Sequence, residues 1–276
     1  MSVSLVNPAI ERMKAGEVAL GMNVRLARSG DIASIARTTG HDFLFLDAQH
    51  AIFSLETLAH IAQAARGAGV APIVRVRGCD DPDTSLLLDA GVTGIVFPDV
   101  NTASQARKAV DTAKFAPLGK RSVSGGYALF DFRTLPLAEV VRVLNENTLV
   151  VCMIETREGL ANVEEIAAVE GVDVIHVGCN DLLVDMGKPG AFGDPEIVSA
   201  VERVIAAANA HGKFAGLGGD RDVARQVQFI RKGVKFMTTQ TDIGFLMAEA
   251  SRRTGELRQA LSTEAAAAGT ITNTEG

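Results

Sequence analysis

The chain has 276 residues, 47% of them apolar, and a formal net charge of −6 carried by interspersed acids and bases. That length buries a substantial core, as one large domain or two small ones. The absence of any basic stripe excludes nucleic acid and anionic membrane surfaces and leaves a small molecule as the expected partner. Cys79, Cys152 and Cys179 form no CxxC pair, which argues against a disulfide framework or a structural zinc site and fits a reducing cytoplasm. The opening "MSVSLVNPAIERMKAGEVA" carries charges early and lacks the apolar stretch of a signal peptide, and no run of about 18 apolar residues occurs anywhere.

In chain order, short apolar runs alternate with segments of helical period, the pattern of parallel strands joined by helices. The first strand is expected at 19–24 ("ALGMNV") and the second at 43–48 ("FLFLDA"). A helix follows from Ser54, with Thr57 near the cap and Gly67 or Gly69 as its end. Strands at 72–77 ("PIVRVR") and 94–99 ("GIVFPD") precede a helix over about 102–114. The stretch 115–136, "FAPLGKRSVSGGYALFDFRTLP", holds the only tyrosine, Tyr127, and its length predicts a binding loop or lid. Strands at 149–155 ("LVVCMIE") and 173–178 ("DVIHVG") come next. A helix then starts at the N-cap Asp194 with Pro195 in its first turn and stops at Gly212. Strands at 213–218 ("KFAGLG") and 234–239 ("VKFMTT") make eight.

Eight βα units in one domain over 1–261 predict a TIM barrel. The rival, a doubly wound open sheet, usually carries a GxGxxG after its first strand, and none follows residue 24. An extra C-terminal helix carries an apolar stripe of Ile243, Leu246, Met247 and Ala250. The small, polar tail 262–276 is expected to be disordered.

A barrel gathers its catalytic groups at the carboxyl ends of its strands. The second strand ends in Asp47, Gln49 and His50, and the third carries Arg75 and Arg77. The fifth ends at Glu155 and Thr156, and the sixth in "GCND" with Asp181. Glu155 and Asp181 stand one βα unit apart, on neighbouring strands roughly 4.8 Å from each other. Two readings stay open: a pair of ligands for a hard divalent ion, or caps of the helices that follow. His50 reads as a loop histidine or, with Asp47 nearby, as a general base. Arg75 is either an inner-barrel partner of a carboxylate such as Asp89 or a fork for a substrate oxyanion. His176, mid-strand, reads as core, and "GLGGD" (216–220) as a weak phosphate cradle. No lysine ends a strand on the catalytic face, which removes the Schiff-base route.

Taken together, "FLFLDAQHA", "LLLDAGVTGIVFPDV", "APLGKRS" and "CMIETREGLANVEEIAAVEGVDVIHVGCNDLLVDMG" resemble the metal-dependent (class II) pyruvate aldolases of the HpcH/HpaI family over about residues 8–255. The resemblance implies that Glu155 and Asp181 ligate Mg2+ or Mn2+, with Co2+ also compatible, and that pyruvate chelates this ion. It implies that Arg75 holds the keto or enolate oxygen, that His50, oriented by Asp47, is the base, and that Asp89 lies near this cluster. The amides of Asn180 and Asp181 would meet the pyruvate carboxylate. Gln49, Met153 and Cys179-Asn180 depart from many members and alter the pocket wall. The implied activity is reversible cleavage of a 4-hydroxy-2-oxo acid to pyruvate and an aldehyde, in a homo-oligomer, a hexamer favoured. Alternatives are a lyase or synthase acting on a CoA ester or oxaloacetate, a phosphate-binding isomerase or decarboxylase, and a non-catalytic scaffold.

Overall fold

A computed structural model describes residues 4–271. Eight parallel strands close a barrel in sequence order: β1 (Ala19–Val24), β2 (Phe43–Asp47), β3 (Ala71–Arg75), β4 (Gly94–Phe97), β5 (Leu149–Ile154), β6 (Val174–Gly178), β7 (Phe214–Gly218) and β8 (Val234–Thr241). All eight expected strands form, and the closed sheet decides for the TIM barrel over the open one. Alternate residues divide the layers. Leu44, Leu46, Val74, Ile95, Val150, Cys152, Ile175 and Leu217 face outward and are buried under the helices, whereas Phe43, Phe45, Ile73, Val151, Val174 and Phe236 fill the interior. Strands buried on both faces read as unbroken apolar runs, which is why they stand out in the sequence.

Glycine makes room in the barrel where aromatic rings fill it. A Cβ on Gly21 would lie 2.0 Å from the Phe43 ring, which stacks on Phe236 at 4.2 Å. Below that pair an unanticipated helix, Pro8–Lys14, closes the N-terminal end with Ala9, Ile10 and Met13. Asn7 caps it, accepting from the amides of Ala9 and Ile10, while its own amide group donates to the carbonyls of Thr93 and Asn147. Burying Ile10 and Met13 there contributes about 1.5–3 kcal/mol each. The opposite mouth stays open.

Two expectations about the connections change. The 115–136 stretch is not a lid: Phe115, Tyr127, Leu129 and Phe130 pack with Val140, Val143 and Leu144 into a core of their own. Arg66, near the end of the helix Leu55–Ala68, donates to the carbonyls of Ala128 and Leu129. That ties the segment to the closed, N-terminal side, because the helix after β2 runs back there. The C-terminal helix spans Asp242–Ile271 and takes in residues 262–271 of the expected tail, whose alanine run is the strongest of helix formers; residues 272–276 lie outside the described residues. Ile243, Leu246, Met247, Leu257 and Leu261 of this helix are all exposed. At its start the Asp242 carboxylate accepts from the amides of Arg25, Leu26 and Ala27 at 3.0, 2.9 and 2.8 Å.

Candidate active site

The open mouth holds a cavity lined by, among others, Arg75, Met153, Glu155, Asn180, Asp181 and Arg221. Glu155 follows β5, and its buried side chain fits because β6 ends in Gly178: a Cβ there would lie 2.5 Å from Glu155 Oε2. Neither carboxylate caps a helix. Thr156 caps Arg157–Ala161, accepting from the Gly159 amide at 3.0 Å, and Asp181 sits inside the first turn of Cys179–Asp185. The alternative of two helix caps is therefore removed. Glu155 instead accepts from the Asp99 amide at 3.1 Å, a donor aimed by the left-handed backbone of Asp99, φ +52°. Burial pushes the Glu155 carboxyl well above the usual carboxylate range, and the facing Asp181 side chain adds to this against the pull of the Asp99 amide and Arg75.

β2 and β3 align Asp47 with Arg75. The guanidinium binds the carboxylate in a fork, Nε to Oδ1 at 3.0 Å and Nη2 to Oδ2 at 2.8 Å, with both groups buried. Nη1 reaches the Met153 sulfur at 3.8 Å, and the guanidinium lies over the Phe45 ring. Burial alone would raise Asp47, but the Arg75 bonds and charge, with the His50 amide, more than offset it and hold the carboxyl below its ordinary value. Asp47 is thus an anion that fixes Arg75.

The family model for HpcH/HpaI aldolase/citrate lyase matches residues 21–248. The chain belongs to that family. The 4-hydroxy-4-methyl-2-oxoglutarate aldolase cghB of Chaetomium globosum is 38% identical over 245 residues, 87% of this chain and 91% of its own. The 2-keto-3-deoxy-L-rhamnonate aldolase of Escherichia coli O157:H7 is 32% identical over 243 residues, 86% and 90% of the two chains. The crystal structure of an HpcH/HpaI aldolase from Desulfitobacterium hafniense DCB-2 superposes with a TM-score of 0.86 at 28% identity, covering 90% of this chain and 96% of that one. The chain is an aldolase of that family, a carbon–carbon lyase.

Within this aldolase the expected residues divide. Arg75, Met153, Glu155, Asn180 and Asp181 meet at one cavity. His50 stands exposed at the rim; Asp47 accepts from its main-chain amide at 3.1 Å, not from its ring. Gln49 is half-buried, and its buried Oε1 has no partner among the described residues. Arg77 turns away to Asp81 and Asp83. Asp89 is not brought to the cluster. It ends the helix Thr84–Asp89, which runs from the open mouth back to the closed side, and there it accepts from Arg121 and Ser124. Arg75 accordingly pairs with Asp47 and not with Asp89.

Asn23, His176, Arg221 and Thr238 also line the cavity and were not foreseen there. The register would have found three of them: Asn23, His176 and Thr238 share the inward parity of their strands. The "GLGGD" glycines serve His176 rather than a phosphate, since a Cβ on Gly216 or Gly218 would lie 2.5 or 2.8 Å from its ring nitrogens. Burial, with the charges of Arg75 and Arg221, pushes His176 down to about 3, so its ring is neutral.

Proposed function

We propose that this aldolase cleaves a 4-hydroxy-2-oxo acid with Glu155 and Asp181 holding a divalent cation, Arg75 binding the keto oxygen and His50 acting as base. The observation that carries the reading is the Glu155–Asp181 pair: a buried carboxylate faces a second one, neither caps a helix, and no side-chain cation lies within ion-pair distance of Glu155 among the described residues. Among the described residues no cluster of three or more His, Cys, Asp or Glu donors joins them. Two carboxylates with the remaining positions left to substrate and water suit Mg2+ or Mn2+ better than zinc. When bound, such a cation supplies positive charge beside the enolate oxygen of pyruvate, worth several kcal/mol of transition-state stabilisation.

The chain's own groups supply the rest. Arg75 keeps an N–H direction free of Asp47 and donates to the same oxygen, and its burial strengthens that bond. The amides of Asn180 and Asp181 face the pyruvate carboxylate. The His50 imidazole takes the proton from the 4-hydroxyl as the carbon–carbon bond breaks and returns it in the condensation direction. Its place at the rim suits a group that must reach the aldehyde half, and Gln49 and Met153 shape the wall between. The exposed apolar residues of the C-terminal helix support a homo-oligomer, a hexamer favoured. The three cysteines are free, which supports a cytoplasmic location; among the described residues no helix is long and apolar enough to cross a membrane.

Treatment with EDTA is expected to abolish cleavage and added Mg2+ or Mn2+ to restore it. Glu155→Ala and Asp181→Ala should lose both bound metal and activity with unchanged circular dichroism. Full metal occupancy in either variant would sink the assignment.

A further inference from the structure

We propose that Arg221 is the counter-charge that binds the carboxylate of the 2-oxo acid, an inference that rests on the aldolase reading above. Arg221 follows the "GLGGD" turn at the end of β7 and lines the same cavity as Glu155, Asp181 and Arg75. Its guanidinium donates to the Thr238 carbonyl at 3.3 Å and makes no ion pair among the described residues. The adjacent Asp220 acts on it through charge but makes no hydrogen bond to it: its two oxygens accept from Arg225 at 2.6 and 2.8 Å, and one accepts from the Asp222 amide at 3.0 Å. Arg75, in contrast, has its fork filled by Asp47. The cavity therefore contains one guanidinium held in a carboxylate fork and one that is not.

Arg221 is half-buried, and its guanidinium, with five donors and one protein acceptor, leaves the rest open to the cavity. Burial holds the Arg221 guanidinium below its ordinary pKa, the direction expected for a cation awaiting an anion. Its shape selects a carboxylate, which the fork meets with two parallel bonds. Position then decides which carboxylate. Round the barrel Arg75 ends β3, the acid pair follows β5 and β6, and Arg221 follows β7. A 2-oxo acid with its keto oxygen toward β3 turns its carboxylate toward β7. The β7 turn is pressed against the place where that carboxylate lies: Gly219, at φ +103°, would bring a Cβ within 3.1 Å of the Asn180 amide nitrogen. The aldehyde half points the other way, toward His50 beyond β2.

The test is calorimetric titration of pyruvate in the presence of Mg2+ into the wild type, Arg221→Lys and Arg221→Met, with melting temperatures measured without ligand. Arg221→Met should bind pyruvate roughly 10- to 100-fold more weakly, the loss of a charge-assisted bond, and Arg221→Lys should fall between. Pyruvamide, which lacks the anion, should bind the wild type and Arg221→Met equally. The ligand-free melting temperature of Arg221→Met should match that of the wild type, because the guanidinium has one protein hydrogen bond to lose, that to the Thr238 carbonyl; a clear fall would make Arg221 structural and overturn the proposal. Unchanged pyruvate affinity in Arg221→Met would overturn this inference alone, including the case in which only a larger dicarboxylate substrate is affected. Failure of the wild type to bind pyruvate with Mg2+ would overturn the aldolase site assignment and this inference with it.

Discussion

Replacing Asp47 tests how the site holds its arginine. The carboxylate is fully buried and takes two bonds from Arg75, itself 8% exposed, and one from the His50 amide. Asp47→Ala leaves that guanidinium without its fork, and breaking a buried pair from one side costs about 3–5 kcal/mol. At roughly 2–4 °C per kcal/mol for a chain of this size, the melting temperature should fall by about 6–20 °C. Removing both charges, in Asp47→Leu with Arg75→Met, should recover most of the loss, since an apolar pair of similar volume is often neutral or better, while activity stays absent. Urea unfolding of the wild type, Asp47→Ala and the double variant at neutral pH gives the comparison. The same pair sets an acid limb. The folded pKa of Asp47 is depressed, so its stabilisation is complete above the ordinary carboxylate value and is lost as pH falls through the folded one. The stability gap between the wild type and Asp47→Asn should close along that limb. A drop of less than about 0.5 kcal/mol in Asp47→Ala, the range of a neutral surface change, would show that Arg75 is neutralised elsewhere and refute the reasoning.

His50→Ala should lower kcat for aldol cleavage by roughly 10²- to 10⁴-fold, and oxaloacetate decarboxylation, which needs no proton from a hydroxyl, should suffer less; equal losses would make His50 a binding or structural residue. Gly178→Ala should push Glu155 aside and weaken Mg2+ binding by roughly 10- to 100-fold, as disturbed ligand supports do, measured by calorimetry against an unchanged circular dichroism spectrum; wild-type affinity would mean that Glu155 is not a ligand. Truncation after Asp242 should leave the barrel folded and dissociate the oligomer in light scattering, whereas an unchanged assembly would remove the C-terminal helix from the interface.

Much of this was legible in the sequence, for reasons that differ by residue. The eight strands announce themselves because both faces are buried, and Glu155 and Asp181 stand out because ionisable groups end apolar runs. What pairs with Arg75 depends on register between two strands, which no single strand records. Asp89, which the resemblance puts near the cluster, lies away from the cavity within the single chain because its helix returns to the closed side. Asn23 and Thr238 look unremarkable one at a time; only the inward parity of a closed barrel gathers them. The aromatic content of 115–136 was the available sign that this stretch builds a core of its own.

The Asp242 anchor has a mechanical consequence. A helix of 30 residues is about 45 Å long, and this one is clamped at one end by three amides of the loop after β1. From the same loop Arg25 extends to the Asp47 carboxylate, Nε to Oδ2 at 3.5 Å, and to the His50 carbonyl at 3.0 Å. The foot of the helix therefore stands two contacts from Asp47 and His50. The loop that holds the foot of the helix is thus the one that reaches the cavity mouth, so a contact made on the exposed arm and the packing beside Asp47 share a single support.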